Sequence, residues 1–529
     1  MRRREVLSTI AAASLVQSAL PRPALAQGGR VLRFVPQADL SSLDPIWTTS
    51  NVTRNFGYMV YDQLYGSDAA FRPRPQMAEG HVEEDAGRQV TITLRPGLAF
   101  HDGEPVRAQD CVASVRRWMK RHAMGQKLEP VLEELAALDD RRLRFRFKRP
   151  FPLLLEALAS PVAPPCFVMP ERLARTDPFQ QLREVMGSGP YRFRPEEFIA
   201  GSGAAFDRFG GYVPTADNAA GLTAGPKVAH FDRVEWRIIP DAATAAAAMQ
   251  ANELDWYEQP PPEIQQLLAR GRAISVEPMD PLPMMAVMRF NSLHPPFNDK
   301  RIRQALLPAI SQEDFMTAAV GTDPSLRVTG VGVFTPGGPM ASDVALEPLT
   351  GPRDLAAARQ RLREAGYANQ PIRLLGPTDI LVPSALTQVA LDLFRRLEVN
   401  LDAVLTDWGT VVQRRTSREP LERGGWSVSM YAFSSMDFLT PATNPTLRAN
   451  GGGAWFGWPD IPRLEALRDA WFETPDLADR QALAREMQAV AMDELPFIPV
   501  GAYRSQTALR RDLQGRVRGL ALFWGIRRS

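Results

Sequence analysis

Hydrophobic and polar residues alternate along several short segments of the chain. At residues 90–94, Val90, Ile92 and Leu94 alternate with two threonines, which is the period of a β-strand with one buried face. The same alternation recurs at 142–148, at 234–238 and at 399–405. The outward positions of 142–148 are basic, but no aromatic residue is interleaved on that face. We therefore interpret it as a solvated sheet face rather than a strip for binding nucleic acid.

Other segments carry apolar residues at spacings of three and four, which is the helical period. Leu386, Leu393 and Leu397 mark such a helix at 384–397, and short strands before and after it complete a βαβ unit at 372–405. Further helices are predicted at 107–120, 241–251, 461–473 and 477–494, and a further strand at 497–500. The Gly- and Ala-rich segment 201–227 is predicted to be a loop. Strands that alternate with helices in both halves predict mixed α/β lobes.

Composition places the chain among multidomain globular proteins. Its 529 residues suggest about two to four domains at roughly 150 residues each. The 62 Lys and Arg nearly balance the 60 Asp and Glu, and the net charge of +2 is too small to indicate a nucleic-acid partner. After the first thirty residues, no apolar window reaches the ~20 residues that cross a bilayer. We therefore expect a soluble protein.

The N-terminus predicts export, with a signal peptide at residues 1–26. Three arginines at positions 2–4 precede an apolar stretch, and A-L-A follows at 24–26, which is the layout of a secretory signal. The arginine pair also fits the twin-arginine pattern for export of folded proteins, and both export routes stay open. In an oxidising compartment, Cys111 and Cys166 are either a disulfide or two buried thiols.

The sequence lacks the motifs of the common catalytic and metal sites. It contains neither G-x-S-x-G nor H-E-x-x-H, and neither a G-x-x-x-x-G-K-[ST] loop nor a Rossmann glycine pattern after a strand. The five histidines never stand three or four positions apart, so no helix presents a histidine pair to a metal. We predict a protein that is not an enzyme and that has no metal or other cofactor.

Aromatic residues cluster within about fifty positions of the C-terminal half. They are Trp408, Trp426, Tyr431, Phe433, Trp455, Phe456 and Trp458. Several stand among Gly, Ser, Asn and Pro, which is typical of loops, where binding groups tend to lie. The cluster is therefore a candidate ligand-binding surface, with ordinary core packing as the alternative.

A series of different short motifs is distributed along nearly the whole mature chain. They lie at residues 43–45, 61–64, 93–106, 187–191, 237–241 with 253–255, 291–306, 365–367 and 495–499. The motif at 93–106 reads T-L-R-P-G-L-A-F-H-D-G-E-P-V, and the motif at 187–191 reads G-S-G-P-Y. In this order the motifs resemble the bacterial extracellular solute-binding proteins of family 5, the peptide/nickel-type receptors of ABC importers.

The resemblance implies an α/β, two-lobed periplasmic-binding-protein fold (type II, cluster C-like) with an extra domain inserted in the first lobe. It divides the mature chain into a base lobe at 28–60, 186–283 and 496–529, an inserted domain at 61–185, and a second lobe at 284–495.

The resemblance also implies a function. The protein is expected to be a monomeric periplasmic receptor that captures a di- or oligopeptide, or a peptide-sized solute, by lobe closure. It would deliver this ligand to the permease subunits of an ABC importer in the inner membrane, with no nucleic acid involved. A nickel chelate, haem, an opine or a sugar-like solute is the nearest alternative ligand. An exported hydrolase and a periplasmic chaperone are the alternatives outside this function.

The resemblance further suggests site residues. In peptide-binding members, an aspartate shortly after an aromatic residue pairs with the ligand's α-ammonium. The position matching that aspartate after Phe433 falls on Met436, and Asp437 fits with a shift of one residue. Asp437 is thus a candidate cation-binding group or a helix cap, and Arg414, beside Arg415, is a candidate for binding a carboxylate. The other candidates are Trp408, Trp426, Tyr431 and Phe433 as apolar walls, and Asn51 as a hydrogen-bonding group.

Overall fold

The structure is a computed structural model that describes residues 30–217 and 221–529. The predicted signal peptide lies outside these residues. Within them, no helix has the length and apolar character needed to cross a membrane. The described chain is organised around a seven-stranded, a six-stranded and a four-stranded β-sheet.

The seven-stranded sheet forms the centre of the first lobe. Its strands, in spatial order, are Tyr191–Phe193, Gly203–Arg208, Arg233–Arg237, Val31–Val35, Trp256–Tyr257, Gln506–Arg510 and Ile274–Pro278. The central strand Val31–Val35 runs parallel to both of its neighbours. Its Phe34 is fully buried against Trp236 and Trp256, so this sheet carries the aromatic core of the lobe.

One strand of this sheet, Gly203–Arg208, lies in the segment predicted to be a loop, and that prediction is wrong there. Glycine and alanine have little strand propensity on their own. The segment is nevertheless hydrogen-bonded on both sides, to Tyr191–Phe193 and to Arg233–Arg237, and its Phe206 is fully buried. Pairing with two neighbouring strands therefore overrides the weak local signal.

The six-stranded sheet forms the second lobe. Its strands, in spatial order, are Arg327–Val328, Phe497–Tyr503, Met284–Phe290, Val428–Phe433, Ile372–Pro377 and Leu401–Thr406. The predicted βαβ unit is confirmed, because Ile372–Pro377 and Leu401–Thr406 pair in parallel and the helix Leu381–Arg396 connects them. Residues 380–383, where that helix begins, line the cavity described below.

The four-stranded sheet consists of Ala78–Glu84, Gln89–Leu94, Arg142–Phe147 and Leu132–Ala137. It lies within residues 61–185, the predicted inserted domain, which we call the insert. The alternation predicted for the third of these strands is confirmed by its buried and exposed residues. The insert is fixed to the first lobe by an ion pair without solvent exposure, in which Arg117 Nη2 lies 2.8 Å from Asp44 Oδ2. Its two cysteines, Cys111 and Cys166, are buried free thiols.

Two short segments connect the lobes. The first, residues 279–283, runs from the strand Ile274–Pro278 to the strand Met284–Phe290, and the second, Arg504 and Ser505, leads back. The strand Phe497–Tyr503 pairs with Met284–Phe290 and therefore belongs to the second lobe. The predicted boundary at residue 496 is too early by one strand, and the sheet pairing moves it to 504.

The helices cover the faces of these sheets and connect their strands. They are Asn51–Val60, Ala108–Met119, Ala123–Leu128, Leu154–Ala159, Glu171–Ala174, Ala242–Gln250, Pro262–Ala269, Lys300–Ala305, Gln312–Val320, Glu347–Thr350, Leu355–Glu364, Leu381–Arg396, Trp408–Arg414, Pro462–Glu473 and Leu477–Glu494. The helices predicted at 107–120, 241–251, 461–473 and 477–494 are confirmed. The helix Asn51–Val60 is buried at every position after its first residue, so its side chains reach both the core and the space between the lobes.

Candidate functional site

A cavity of about 390 Å³ lies between the two lobes. The first lobe contributes residues 47–52, where the helix Asn51–Val60 begins. The second lobe contributes the starts of the helices Leu381–Arg396 and Trp408–Arg414 and the end of the strand Val428–Phe433. The volume falls in the range of about 300–1,000 Å³ that is usual for small-molecule pockets.

Five of the seven predicted site residues line this cavity. They are Asn51, Trp408, Tyr431, Phe433 and Asp437. The structure places Trp426 behind the wall, where its indole Nε1 donates to the carbonyl oxygen of Arg415 at 3.1 Å. Arg414 is not among the lining residues either, and its neighbour Arg415 takes the place predicted for it. The reason is local: the helix ends at Arg414, and the next residue points inward.

Arg415 is enclosed by aromatic rings. Its guanidinium carbon lies 4.7 Å from the ring centroid of Phe456, 5.4 Å from Trp455, 5.6 Å from Trp408 and 5.8 Å from Tyr431. Only 8% of the residue is exposed, and burial lowers the pKa of Arg415 despite the opposing effect of the Tyr431 phenol. Guanidinium groups stay protonated in proteins, so the rings hold a cation by cation–π attraction.

No carboxylate of the described residues lies within ion-pair distance of Arg415, and its Nε has no hydrogen-bond partner there. A buried charge without a counter-ion is costly. An arginine of this kind at a cavity wall is suited to a bidentate contact with a carboxylate from outside the chain.

The loop that carries Trp455 and Phe456 is held in place by hydrogen bonds from Arg289. This fully buried side chain donates from Nε to the Phe456 carbonyl at 2.7 Å and from Nη2 to the Trp455 carbonyl at 3.0 Å. Gly457 follows at a φ of 101°, and a Cβ there would stand 2.2 Å from the Phe290 carbonyl oxygen. The aromatic wall of the cavity therefore depends on a backbone approach that only glycine permits.

Asp437 supplies the opposite charge. Its carboxylate accepts a hydrogen bond from the Ser434 backbone N–H at 3.1 Å, in a capping box at the start of the short 3₁₀ helix Ser435–Phe438. Burial raises the pKa of Asp437 to about 6, although the Arg54 guanidinium and the Ser434 N–H favour the ionised form. Asp437 is thus the third residue of a short helix whose N-cap is Ser434, and it also lines the cavity.

Arg54 lies on the helix Asn51–Val60, behind the cavity, and is the cation that acts on several buried acids. It lowers the pKa of Asp437, of Glu258 and of Asp280 against the rise that burial causes in each. For Glu258 the balance still leaves a pKa of about 7. Glu258 accepts from Asn55 Nδ2 at 3.1 Å and from the Gln37 N–H at 2.7 Å. These groups join the first lobe, the connecting segment and the second lobe.

The connecting segment takes part in this junction through Asp280. Its carboxylate accepts from the Leu282 N–H at 2.9 Å and from the Ser435 hydroxyl of the second lobe. Movement of one lobe relative to the other would therefore change the surroundings of Asp280 and Asp437 together.

The sequence indicates two of the important groups only in part and a third not at all. Trp455 stands out only as a member of the aromatic cluster, although it lines the cavity. Arg415 is the neighbour of the predicted Arg414, and only the position of the helix end distinguishes the two. Arg54 carries no signal in the sequence, since nothing in its neighbourhood distinguishes a buried arginine from a surface one.

The cavity thus offers a buried cation, a buried acid and aromatic walls, which together suit a ligand that has both a carboxylate and a positively charged group. Within the described residues, no group of three or more His, Cys, Asp or Glu side chains is arranged to hold a metal ion. The geometry is that of a binding site closed between two lobes.

Comparison with known proteins gives a consistent result. Residues 72–444 match the family described as bacterial extracellular solute-binding proteins, family 5 Middle. The chain is 33% identical over 494 residues to the probable peptide ABC transporter periplasmic-binding protein y4tO of Sinorhizobium fredii (strain NBRC 101917 / NGR234), covering 93% of this chain and 92% of that protein.

Two solved structures share the fold. One is the periplasmic binding protein AgaA from A. tumefacien R10 in complex with agropinic acid, with a TM-score of 0.78, 17% identity, and coverage of 94% of this chain and 99% of that one. The other is the ABC transporter-associated periplasmic binding protein DppA from Helicobacter pylori in complex with the peptide STSA, with a TM-score of 0.77, 19% identity, and coverage of 94% and 98%. They confirm the two-lobed α/β fold.

Proposed function

This chain belongs to the bacterial extracellular solute-binding proteins of family 5, and we propose that it is a receptor that captures a peptide or peptide-sized solute between its lobes. The receptor passes this ligand to the permease of an ABC importer. Capture works by lobe closure, because a ligand that contacts both lobes stabilises the closed state by its differential affinity.

The observation that carries this proposal is the pair of opposite buried charges in one cavity. Arg415 has no carboxylate partner among the described residues, and the Asp437 carboxylate has no cation within ion-pair distance there. A peptide with free ends carries the two complementary charges. We expect its carboxylate to bind Arg415 and its ammonium to bind Asp437, while the aromatic walls contact its side chains.

The cavity volume also bears on the ligand. About 390 Å³ lies at the small end of ligand pockets, so we expect a short peptide, of two or three residues, rather than a long one. The relative y4tO is named for peptide binding, which supports the same class of ligand.

The remaining organisation is part of the same proposal. We propose a signal peptide at 1–26, export to the periplasm by the twin-arginine or the general route, and a monomeric mature protein. The proposed domains are a base lobe, the insert at 61–185 and a second lobe that ends at 503. The family and the named relative are binding proteins, and we propose that this chain binds its ligand without turning it over.

The test is a calorimetric titration of the mature chain with a matched ligand series. The series consists of trialanine, its N-acetyl form and its C-terminal amide, and each is also titrated against Arg415→Met and the control Arg414→Met. We expect one-to-one binding of trialanine, weaker binding of both blocked forms, and wild-type behaviour of the control. The proposal is contradicted if no free-ended di- or tripeptide binds, or if a bound peptide is hydrolysed during the titration.

A carboxylated solute without a free primary amine, such as an opine, is the second candidate ligand. The observation that favours it is the capping role of Asp437. One oxygen of its carboxylate already accepts a hydrogen bond from the Ser434 N–H, whereas the Nε of Arg415 has no hydrogen-bond partner among the described residues. Equal affinity for trialanine and its N-acetyl form, with loss of binding in the amide, is the result that would favour this candidate.

A further inference from the structure

Besides the hinge, the lobes contact each other at a second place, between the insert and the helix Pro462–Glu473. Glu465, Asp469 and Glu473 stand four positions apart on this helix and so share one face. Two cations of the insert, Lys127 and Arg149, lie opposite that face. The contact is thus a row of three acids against two bases, and one of the acids, Glu465, is also paired with Arg468 of its own helix.

The individual pairs are defined by their distances. Lys127 Nζ is paired with Asp469, and it lies 3.8 Å from Glu465 Oε2. Arg149 Nη1 lies 2.5 Å from Glu473 Oε1. Lys127 also lies 6.0 Å from the ring centroid of Phe472 on the same helix. About half of the Asp469, Arg149 and Glu473 side chains is exposed, so these pairs form at a rim and not in a core.

A hydrogen bond between an arginine and an uncharged side chain accompanies these ion pairs. Arg448 of the second lobe donates from Nη2 to Gln126 Oε1 of the insert at 2.7 Å and to the Gly453 carbonyl at 2.5 Å. Gly453 precedes Trp455 in the loop that forms the aromatic wall of the cavity. The same arginine therefore connects the contact between the lobes with the ligand-facing loop.

These contacts join parts that move relative to each other when the lobes open. The insert is fixed to the first lobe by the buried pair Arg117–Asp44, whereas the helix Pro462–Glu473 belongs to the second lobe. None of the contacting residues lines the cavity or belongs to the two connecting segments. Opening about the hinge would separate these charges, and none of them is a residue that lines the cavity.

We propose that Lys127 and Arg149, with Glu465, Asp469 and Glu473, form an electrostatic latch that stabilises the closed arrangement of the lobes. The inference rests on the proposed capture by lobe closure and deepens it. The latch raises the population of the closed state in the ligand-free protein, and apparent affinity scales with the population of the binding-competent state. Because three of its five charged side chains are about half exposed, salt screens it, and the Debye length falls from about 8 Å at physiological salt to about 3 Å at 1 M.

The test compares the full mature wild type with three variants. K127E/R149E reverses both bases of the insert. K127E/D469K exchanges the charges of the Lys127–Asp469 pair and keeps the attraction within that pair, while Glu465 stays paired with Arg468. R146E is the control, because Arg146 is an exposed arginine of the same insert that takes no part in the latch. Circular dichroism confirms that each variant is folded before it is used.

Small-angle X-ray scattering of the ligand-free proteins reports the opening of the lobes. We expect the wild type to expand between low salt and about 1 M NaCl, K127E/R149E to be expanded at low salt already, and K127E/D469K and R146E to match the wild type. Affinity for trialanine should fall on the order of 3- to 30-fold in K127E/R149E and recover in the exchange variant. Equal radii of gyration in all four proteins, with the same response to salt, would overturn the latch.

Scattering needs no ligand, and this separates the two hypotheses. A latch that opens as expected in a protein that binds no peptide refutes the proposed function and supports the latch. A protein that binds trialanine with the same radius and affinity in all variants supports the receptor and refutes the latch.

Discussion

Replacing Arg415 with methionine tests the ligand-binding role of the cavity most sharply. The substitution keeps an unbranched, apolar side chain among the four rings and removes only the guanidinium group. We expect ligand affinity to fall while the stability of the ligand-free protein hardly changes. A mutation that damages binding through misfolding lowers the stability of the ligand-free protein as well, so the two effects are separable.

The magnitude follows from the burial of the group. Hydrogen bonds to charged groups contribute about 1.5–3 kcal/mol, and truncating one partner of a buried charge pair costs about 2–5 kcal/mol. Arg415 is 8% exposed and would form such a pair only with the ligand, so we expect a loss of about 2–4 kcal/mol, or roughly 30- to 1,000-fold in Kd. For folding, release of a buried charge offsets the lost cation–π contacts, so the free energy of unfolding should change by less than about 1 kcal/mol.

Tryptophan fluorescence is a suitable assay, because Trp408 and Trp455 line the cavity. Trialanine and its C-terminal amide are titrated into the wild type, Arg415→Met and Arg414→Met. The wild type and the control should prefer the free acid, and Arg415→Met should bind acid and amide with similar, low affinity. An Arg415→Met variant that still discriminates acid from amide would refute the assignment of the carboxylate to this residue.

Three further predictions concern protonation and backbone geometry. The pKa of Asp437 is about 6, so protonation below pH 6 removes the charge that binds the ligand's ammonium. Calorimetry should show the affinity for trialanine falling by up to tenfold per pH unit below 6. The affinity of the wild type for N-acetyl-trialanine, and that of the Asp437→Asn variant for trialanine, should show no such fall. Burial raises the folded-state pKa of Glu258 to about 7, so its contribution to stability is present below pH ~4.5 and is lost as the pH rises through 7. Glu258→Gln should therefore flatten the pH dependence of urea unfolding by roughly 3 kcal/mol across that window, and an unchanged slope would contradict the raised pKa of this acid. Gly457→Ala should destabilise the protein by at least about 2 kcal/mol and weaken ligand binding, because the new methyl group would clash with the Phe290 carbonyl. A variant with wild-type Tm and Kd would contradict the requirement for glycine at this position.

Local periodicity was sufficient for much of the fold. The helix at 384–397 and the strand at 90–94 can be predicted from the sequence, because one face of each is buried and the spacing of the apolar residues follows that face. The strand Gly203–Arg208 cannot be predicted in this way, since it is stabilised by pairing with two other strands. The assignment of the strand Phe497–Tyr503 to the second lobe likewise depends on its pairing with Met284–Phe290, which no local pattern in the sequence predicts.

The site was predictable to a smaller extent. Tyr431, Phe433 and Asp437 stand on one strand and the turn after it, so a single correct alignment brings all three to the cavity. Arg414 and Arg415 differ only in direction, and that direction depends on where a seven-residue helix ends. The effect of Arg54 on Asp437 joins residues almost four hundred positions apart, and only the closed arrangement of the lobes reveals it.

The most direct test of the central claim is native mass spectrometry of the mature protein isolated from its own periplasm, followed by denaturation and identification of the released ligand. We predict a one-to-one complex whose ligand carries a carboxylate and an amine, as a short peptide does. A released ligand without a carboxylate, or a protein that arrives empty and then fails to take up any member of a di- and tripeptide mixture, would contradict the account.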